Sequence, residues 1–382
     1  MRMLVLGAGL QGSACAYDLL QNPDVSQVRL ADVRFDHLPE FLKPLSGPRL
    51  IPTTLDVRDR EAVLAVMRES DAVMSAIPYY LNLQLTECAV EAGVHFCDLG
   101  GNTEIVFQQK ALADRAEAKG VTIVPDCGVA PGMVNILAEH GIRQIDAVDS
   151  VRIYVGGLPQ DPDPPLNYQV VYSLEGVLDY YTTRSWVLRD GRRSQVTALS
   201  EREPVKFPEP VGTLEAFHTA GGLSTMAFRY EGKIAEMEYK TLRYPGHAEI
   251  METIRELGLL DLEPLDVKGV KVAPRDVFVA AVGPKLFKPK GKDLLALRVT
   301  VRGTKGGKPA ERRFDLVDRY DETHGISAMM RTTGYSLSIT GQMQVRRQVS
   351  PAGVWTPDEC MPAEAYIREL HARGIELRET VS

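Results

Sequence analysis

The sequence predicts an α/β protein in two parts: a parallel, doubly wound sheet, then an α+β domain on a mixed sheet. Three observations carry this reading. Short apolar runs alternate with helix-like segments through the first third, and a glycine-rich turn follows the first of those runs. After Pro131 the texture changes to longer alternating segments separated by Pro- and Gly-rich loops.

The run Met3–Leu6 is continuously apolar, and Ala72–Ile77 and Val121–Val124 are apolar except for Ser75 and Thr122, as strands covered on both faces require; Gln27–Ala31 is a further strand. Amphipathic stretches at Ser13–Leu20, Glu61–Arg68 and Leu83–Gly93 lie between the strands, and Glu104–Lys119 reads as one solvated crossover helix. Right-handed crossovers then bring the strand ends to one edge. Beyond Pro131, Ser150–Val155, Met237–Leu242, Leu294–Arg302 and Arg312–Asp318 read as strands, while Gly156–Pro165, with its four prolines, reads as a surface loop. Helical periodicity in Gly325–Gln344 and Pro362–Arg373 suggests that the C-terminus returns to the first domain. The expected division is 1–131, 132–324 and 325–382, with the last segment packing on the first.

Over 382 residues, 44 Lys and Arg stand against 51 Asp and Glu, a net charge of −7, which argues against nucleic acid or an anionic membrane as the main partner. No apolar run is long enough to span a bilayer, and the start runs straight into a glycine turn without a cleavage pattern, so a cytoplasmic protein is expected. Cys15, Cys88, Cys97, Cys127 and Cys360 form no C-x-x-C pair, and the histidines show no ligand spacing, so no metal site is expected.

Gly7-Ala8-Gly9-Leu10-Gln11-Gly12 matches G-x-G-x-x-G between a strand and a helix, the context of a Rossmann dinucleotide-binding turn. Gly7 permits the tight turn, Gly9 lets backbone approach pyrophosphate, and Gly12 brings helix against strand. Asp32 ends the second strand about 20 residues further on, placed to accept from ribose hydroxyls. Its carboxylate repels a 2′-phosphate, so NAD is expected over NADP, with Arg34 nearby leaving some NADP use open. Asp56 either approaches the adenine or caps the next helix. Ala76, Ile77 and Pro78 close the following strand and are expected to line the cofactor groove.

Two more strand ends reach the same edge, each with an acid beside a thiol: Asp98 before Leu99 and Gly100, and Asp126 before Val129. The two aspartates either face the nicotinamide or cap the helices that follow. In the second domain Arg243 is a natural partner for a substrate carboxylate, with a surface salt bridge as the plain alternative. His218 or His247 would handle a proton near neutral pH, beside Thr219; Tyr172 and Glu175 are candidates for a substrate ammonium.

These segments together resemble one family. Gly7–Gly12, VHFCDLGG (94–101), VPDCGVAPG (124–132), YVGGLP (154–159), SLEGVL (173–178), LEAFHTAGG (214–222) and YKTLRYPGHAE (239–249) resemble the saccharopine dehydrogenase superfamily, most closely its L-lysine 6-dehydrogenase branch. The resemblance implies a Rossmann domain and a mixed-sheet domain that binds the amino-acid substrate and mediates dimerisation. It also implies NAD-dependent oxidation of lysine at its ε-carbon. Asp126, His218 and His247 are then the candidate catalytic groups, and Tyr172, Glu175, Thr219 and Arg243 the candidate substrate contacts. Saccharopine-forming or carboxynorspermidine-type reductive coupling shares the scaffold, with Arg184, Arg229 and Arg255 available as further anchors. A thioester mechanism at Cys127 and a non-catalytic NAD-sensing role are the remaining readings.

Overall fold

In the computed structural model, which describes residues 1–35, 38–349 and 351–382, alternate residues of the first strand, β1 (Arg2–Leu6), bury into two different layers. Met3 and Val5 pack with the Leu10–Gln21 and Ala328–Val345 helices, whereas Leu4 and Leu6 pack with Arg60–Arg68 and Asn82–Ala92. This two-sided burial is what continuous apolar runs encode. With β2 (Gln27–Asp32), β3 (Leu50–Thr54), β4 (Ala72–Ser75), β5 (His95–Asp98) and β6 (Thr122–Val124), β1 forms a parallel sheet in the order β6-β5-β4-β1-β2-β3. The order reverses beside β1, which opens a crevice at the carboxyl ends of β1 and β4. A short strand at Gly353–Val354 adds to the β6 edge.

The second sheet is mixed. It contains β7 (Ala147–Pro159), the hairpin β8 (Ser185–Arg189) and β9 (Arg192–Val196), β10 (Glu203–Lys206), β11 (Thr213–His218) and β12 (Glu236–Arg243). A detached hairpin, β13 (Leu265–Val267) and β14 (Val270–Val272), precedes the long strands β15 (Asp293–Lys305) and β16 (Lys308–Arg319). The order β10-β11-β12-β7-β15-β16 is antiparallel except for the β12–β7 pair, and Arg378–Val381 closes the β16 edge. No helix among the described residues is long and apolar enough to cross a membrane.

Several segments differ from the sequence reading. The first helix starts at Leu10 rather than Ser13, because Gly12 is itself helical. Glu104–Lys119 is two helices, Thr103–Lys110 and Ala113–Ala118, with a turn that lets Leu112 and Ala116 both reach the core. Gly156–Pro159 is buried strand, not loop: a Cβ on Gly156 would lie 2.3 Å from the Leu242 carbonyl oxygen, so the glycine lets two strands touch. The C-terminal segment serves both sheets, since Gly353–Val354 joins the first and Arg378–Val381 the second.

The Ala328–Val345 helix joins the two halves. Its N-terminus is held by Asp293 of β15, which accepts from the Ala328 and Met329 N–H groups at 2.7 and 2.9 Å. Further along, a Cβ at Gly334 would lie 2.6 Å from the Gln11 carbonyl oxygen, and one at Gly341 would lie 2.4 Å from Met74 Sδ. Gly334→Val is therefore expected to cost about 1–3 kcal/mol in urea unfolding. Gly47→Ala, in open space, should change stability by less than about 0.5 kcal/mol.

Candidate active site

Two contacts that exclude a side chain build the turn after β1. Gly7 has φ +95°, and a Cβ there would lie 2.7 Å from the Ala76 carbonyl oxygen; at Gly12 it would lie 1.8 Å from the Gly7 carbonyl oxygen. Gly9 instead faces open space, with nothing within 4 Å of its Cβ position. The helix it precedes has no side-chain cap, Leu10 is half exposed, and both polar atoms of the Gln11 amide are buried without a partner. An uncapped helix N-terminus, an open flank and an orphaned amide fit a dinucleotide pyrophosphate. Asp32 is fixed beside the turn, accepting from the Ala8 and Val33 N–H groups at 2.7 Å each, with lone pairs left for a ribose. Ala76 and Ile77 are half-buried and Pro78 exposed along the same groove.

Asp56 departs from the helix-cap expectation. Arg58 takes its carboxylate through Nε and Nη2 at 2.9 and 2.7 Å, and these hydrogen bonds hold it down to about 2. The cap of Arg60–Arg68 is Asp59, which accepts from the Ala62 N–H at 3.1 Å. Asp56 thus has its own local cation and does not cap that helix.

At the next two strand ends burial dominates. Asp98 accepts from Gln109 Nε2 at 2.7 Å and from the Asp126 N–H at 3.3 Å, and desolvation pushes its carboxyl up to about 6. Asp126, at φ +64°, accepts from the Gly101 N–H at 3.0 Å and from the Ser224 hydroxyl. Burial pushes it up to about 7; the Ser224 hydrogen bond opposes this shift and the neighbouring Asp98 adds to it. Gly100, at φ +61°, has no room for a side chain, because its Cβ would lie 1.6 Å from Asp126 Oδ1. Neither aspartate caps a helix, since Asn102 and Gly132 occupy those positions. Leu99 is half-buried beside Gly100, and Val129 is buried in the loop after Asp126.

Across the seam, β12 turns Tyr239, Thr241 and Arg243 to one face. Arg243 is 3 % exposed, with its guanidinium 4.8 Å from the Tyr168 ring centre. Nη1 donates to the Leu242 carbonyl at 2.9 Å, while Nε and the Tyr168 hydroxyl have no partner. Among the described residues no carboxylate pairs with Arg243; its polar neighbours are Tyr168, Tyr172 and Tyr181. His247 bonds the Leu166 carbonyl through Nδ1 at 3.0 Å, so its Nε2 accepts from the Tyr181 hydroxyl at 2.9 Å. Burial and Arg243 together push its imidazole down to about 3. The Thr219 and Thr241 hydroxyls are 2.7 Å apart. Tyr180 lies over Gly101, and the Tyr239 ring sits where a Cβ on Gly222 would be. A run of hydroxyls therefore lies between Asp126 and Arg243.

The structure does not bring every expected residue to this seam. His218 is on the opposite face of β11, where Nε2 is 3.1 Å from Glu201 and Nδ1 is 3.2 Å from the Tyr239 carbonyl. Strand alternation sends Phe217, not His218, toward His247. Glu201 and Glu238 beside it are bridged by Arg189 at 2.8 and 2.7 Å, so this trio, buried at His218 and Glu238 and exposed at Glu201, already has its counter-charge. Glu175 is exposed in the first turn of Leu174–Thr182, away from the half-buried Tyr172. Cys127 is buried beside Cys97, and burial raises its thiol well above the ordinary value, unlike a thiolate nucleophile. Tyr180 and Ser224 are site residues that sequence reasoning missed; an aromatic run reads as core, and only a hydroxyl two residues past the Gly221-Gly222 pair marked the second.

A consequence follows for His247. Its folded value lies below the unfolded 6.5, so the unfolded chain binds more protons, and this residue lowers stability as pH falls from about 6.5 toward 3. Its ring ¹⁵N shifts are expected to show no titration between about pH 5 and 8, the range in which a free imidazole titrates.

Residues 3–124 match the saccharopine dehydrogenase NADP binding domain, and residues 128–375 match the saccharopine dehydrogenase C-terminal domain. The chain is 25 % identical over 292 residues to the NADP(+), L-glutamate-forming saccharopine dehydrogenase of Saccharomyces cerevisiae, covering 74 % of this chain and 64 % of that protein. Matches to two further fungal enzymes of that name span 58 % and 48 % of their lengths. Carboxynorspermidine synthase of Vibrio cholerae is 22 % identical over 412 residues, with 98 % of this chain and 96 % of that protein covered. In fold, the apo saccharopine dehydrogenase of S. cerevisiae superposes with a TM-score of 0.81 at 21 % identity, over 100 % of this chain and 99 % of that one. With both family regions matched along the chain that builds the glycine turn and the buried acid pair, this protein belongs to the saccharopine dehydrogenase family, with its dinucleotide-binding domain followed by its C-terminal domain.

Proposed function

We propose that this protein oxidises L-lysine at its ε-carbon with NAD, giving 2-aminoadipate 6-semialdehyde, NADH and ammonia, the aldehyde then cyclising to piperideine-6-carboxylate. The observation that carries the reading is Arg243, a buried guanidinium that among the described residues has no carboxylate partner, with an unpartnered Nε beside an unpartnered Tyr168 hydroxyl. An uncompensated buried cation costs several kcal/mol, and a carboxylate matches its planar fork. Arg243 would hold the carboxylate of an amino acid, with Tyr172 and Tyr239 along its chain and Asp126 at the far amine.

A dinucleotide at Gly7–Gly12 and Asp32 supplies the hydride acceptor. The other tasks fall to this chain. The ε-ammonium must lose a proton before hydride can leave its carbon, and Asp126, pushed up to about 7, accepts it near neutral pH. Desolvation in the seam lowers the ammonium's own pKa toward the same range. Water then adds to the imine carbon, the C–N bond breaks, and Asp126 returns the proton to the departing ammonia. The Asp32 carboxylate favours NAD, although the fungal relatives carry NADP(+) in their names.

Reductive coupling of an amine to an aldehyde is the second reading, supported by the named relatives. Such products carry several carboxylates, and the further anchors are mostly engaged. Arg229 is held by Glu139 and Asp358, and Arg255 by the Tyr181 and Ala198 carbonyls; Arg184 is exposed.

The test follows reduced nicotinamide absorbance with NAD⁺ or NADP⁺ and L-lysine, ornithine, saccharopine or no amine. NADH formation with lysine, accompanied by ammonia and a cyclic imine, is expected. Turnover of saccharopine, or of amine plus aldehyde with NADH, would replace lysine oxidation by coupling, and NADH binding without any turnover would leave a sensing role. Arg243→Ala is expected to raise the lysine KM about 100-fold with a smaller change in kcat. The kcat/KM should fall below about pH 7 as Asp126 takes up a proton.

A further inference from the structure

A loop of the second domain reaches across the seam to hold the acid of the first. Beyond β11 the chain turns through Gly221 and Gly222 into Ser224, which is 4 % exposed and sits at φ +51°, a strained conformation for a serine. Its hydroxyl donates to Asp126 Oδ2. The loop cannot drift away, because Asn135 grips both sides. Asn135 Oδ1 accepts from the Gly132 N–H at 2.7 Å, at the end of the loop that carries Asp126. Its Nδ2 donates to the Gly222 and Leu223 carbonyls at 3.2 Å each, in the loop that carries Ser224. The glycines make the close approach possible: a Cβ on Gly221 would lie 3.1 Å from the Gly101 carbonyl oxygen.

We propose that Ser224, clamped by Asn135, is a positioning residue that fixes the rotation of the Asp126 carboxylate, so that its free lone pairs face the substrate amine. The Gly101 N–H alone leaves the carboxylate free to swing about one hydrogen bond; the serine hydroxyl on the other oxygen removes that freedom. Docking of the second domain's loop thereby completes the base carried by the first. Three other titratable groups face Asp126: Asp98 from β5, Asp358 from Pro357–Cys360 and Tyr180 from Leu174–Thr182. Asp98 and Asp358 oppose a charge on Asp126, and Ser224 favours it. The inference rests on Asp126 being the proton acceptor of the proposed reaction, but its test needs no substrate.

Infrared difference titration of the full-length protein reads the carbonyl band of a protonated buried carboxyl, and Asp126→Asn identifies which band belongs to Asp126. That band is expected to titrate near pH 7 in the wild-type protein and about one unit higher in Ser224→Ala, since the lost hydrogen bond favoured the charged form. Ser224→Thr should restore the original midpoint. An unchanged midpoint in a Ser224→Ala protein with wild-type circular dichroism and NADH affinity overturns the proposal. Should Ser224→Ala fail to fold, Asn135→Ala frees the loop while keeping the hydroxyl and must move the same band upward; an unmoved band is again fatal. A shifted band without lysine turnover would uphold the positioning role and sink the substrate assignment instead.

Discussion

The contact between the Ala328–Val345 helix and the Leu10–Gln21 helix holds the rest of the structure in place. Gly334 is pressed against the Gln11 carbonyl, so the helix that begins at the dinucleotide turn is backed by a segment more than three hundred residues later in the chain. Buried polar groups fix the register of this packing: Asp18 accepts from Ser338 and from Arg373, and Gln344 donates to the Phe96 and Thr122 carbonyls. The other end of the same helix is anchored in β15 of the second sheet through Asp293. One continuous apolar core therefore runs through both sheets.

Charge inside that seam is unevenly satisfied. Elsewhere the buried acids find partners: Glu238 with Arg189, Glu139 and Asp358 with Arg229, Asp18 with Arg373. At the seam, among the described residues, Asp98 and Asp126 lie close together without a cation, and Arg243 lies beyond a run of hydroxyls without an anion. Unpaired buried charge is costly, and perturbed acids of this kind gather where a ligand completes the site. A zwitterionic amino acid with a distant amine carries the complementary charges at its two ends.

Much of the fold was legible in the residues. Apolar runs marked β1, β4 and β6, and three glycines followed by Asp32 marked the cofactor turn, because each of those positions answers to local geometry: a positive φ, a Cβ with no room, a strand end. The second domain was legible as alternation, yet the alternation of β11 alone could not say which face met the seam. His218 was expected at the seam and turned out to face Glu201, since the face is chosen by what β12 and its neighbours pack against.

The sequence by itself determined the two-part α/β architecture, the dinucleotide turn and its acid, for these rest on short-range sterics and on burial patterns written in consecutive residues. The tertiary structure decided the surroundings of Asp126, His218 and His247: it raised the first near the seam, turned the second to Glu201 and buried the third beside Arg243. It gave Asp56 to Arg58, left Arg243 without an anion among the described residues, and placed Ser224 and Asn135 around Asp126. Those outcomes depend on desolvation and on partners far away in the chain, and both arise only when the two sheets close on one another.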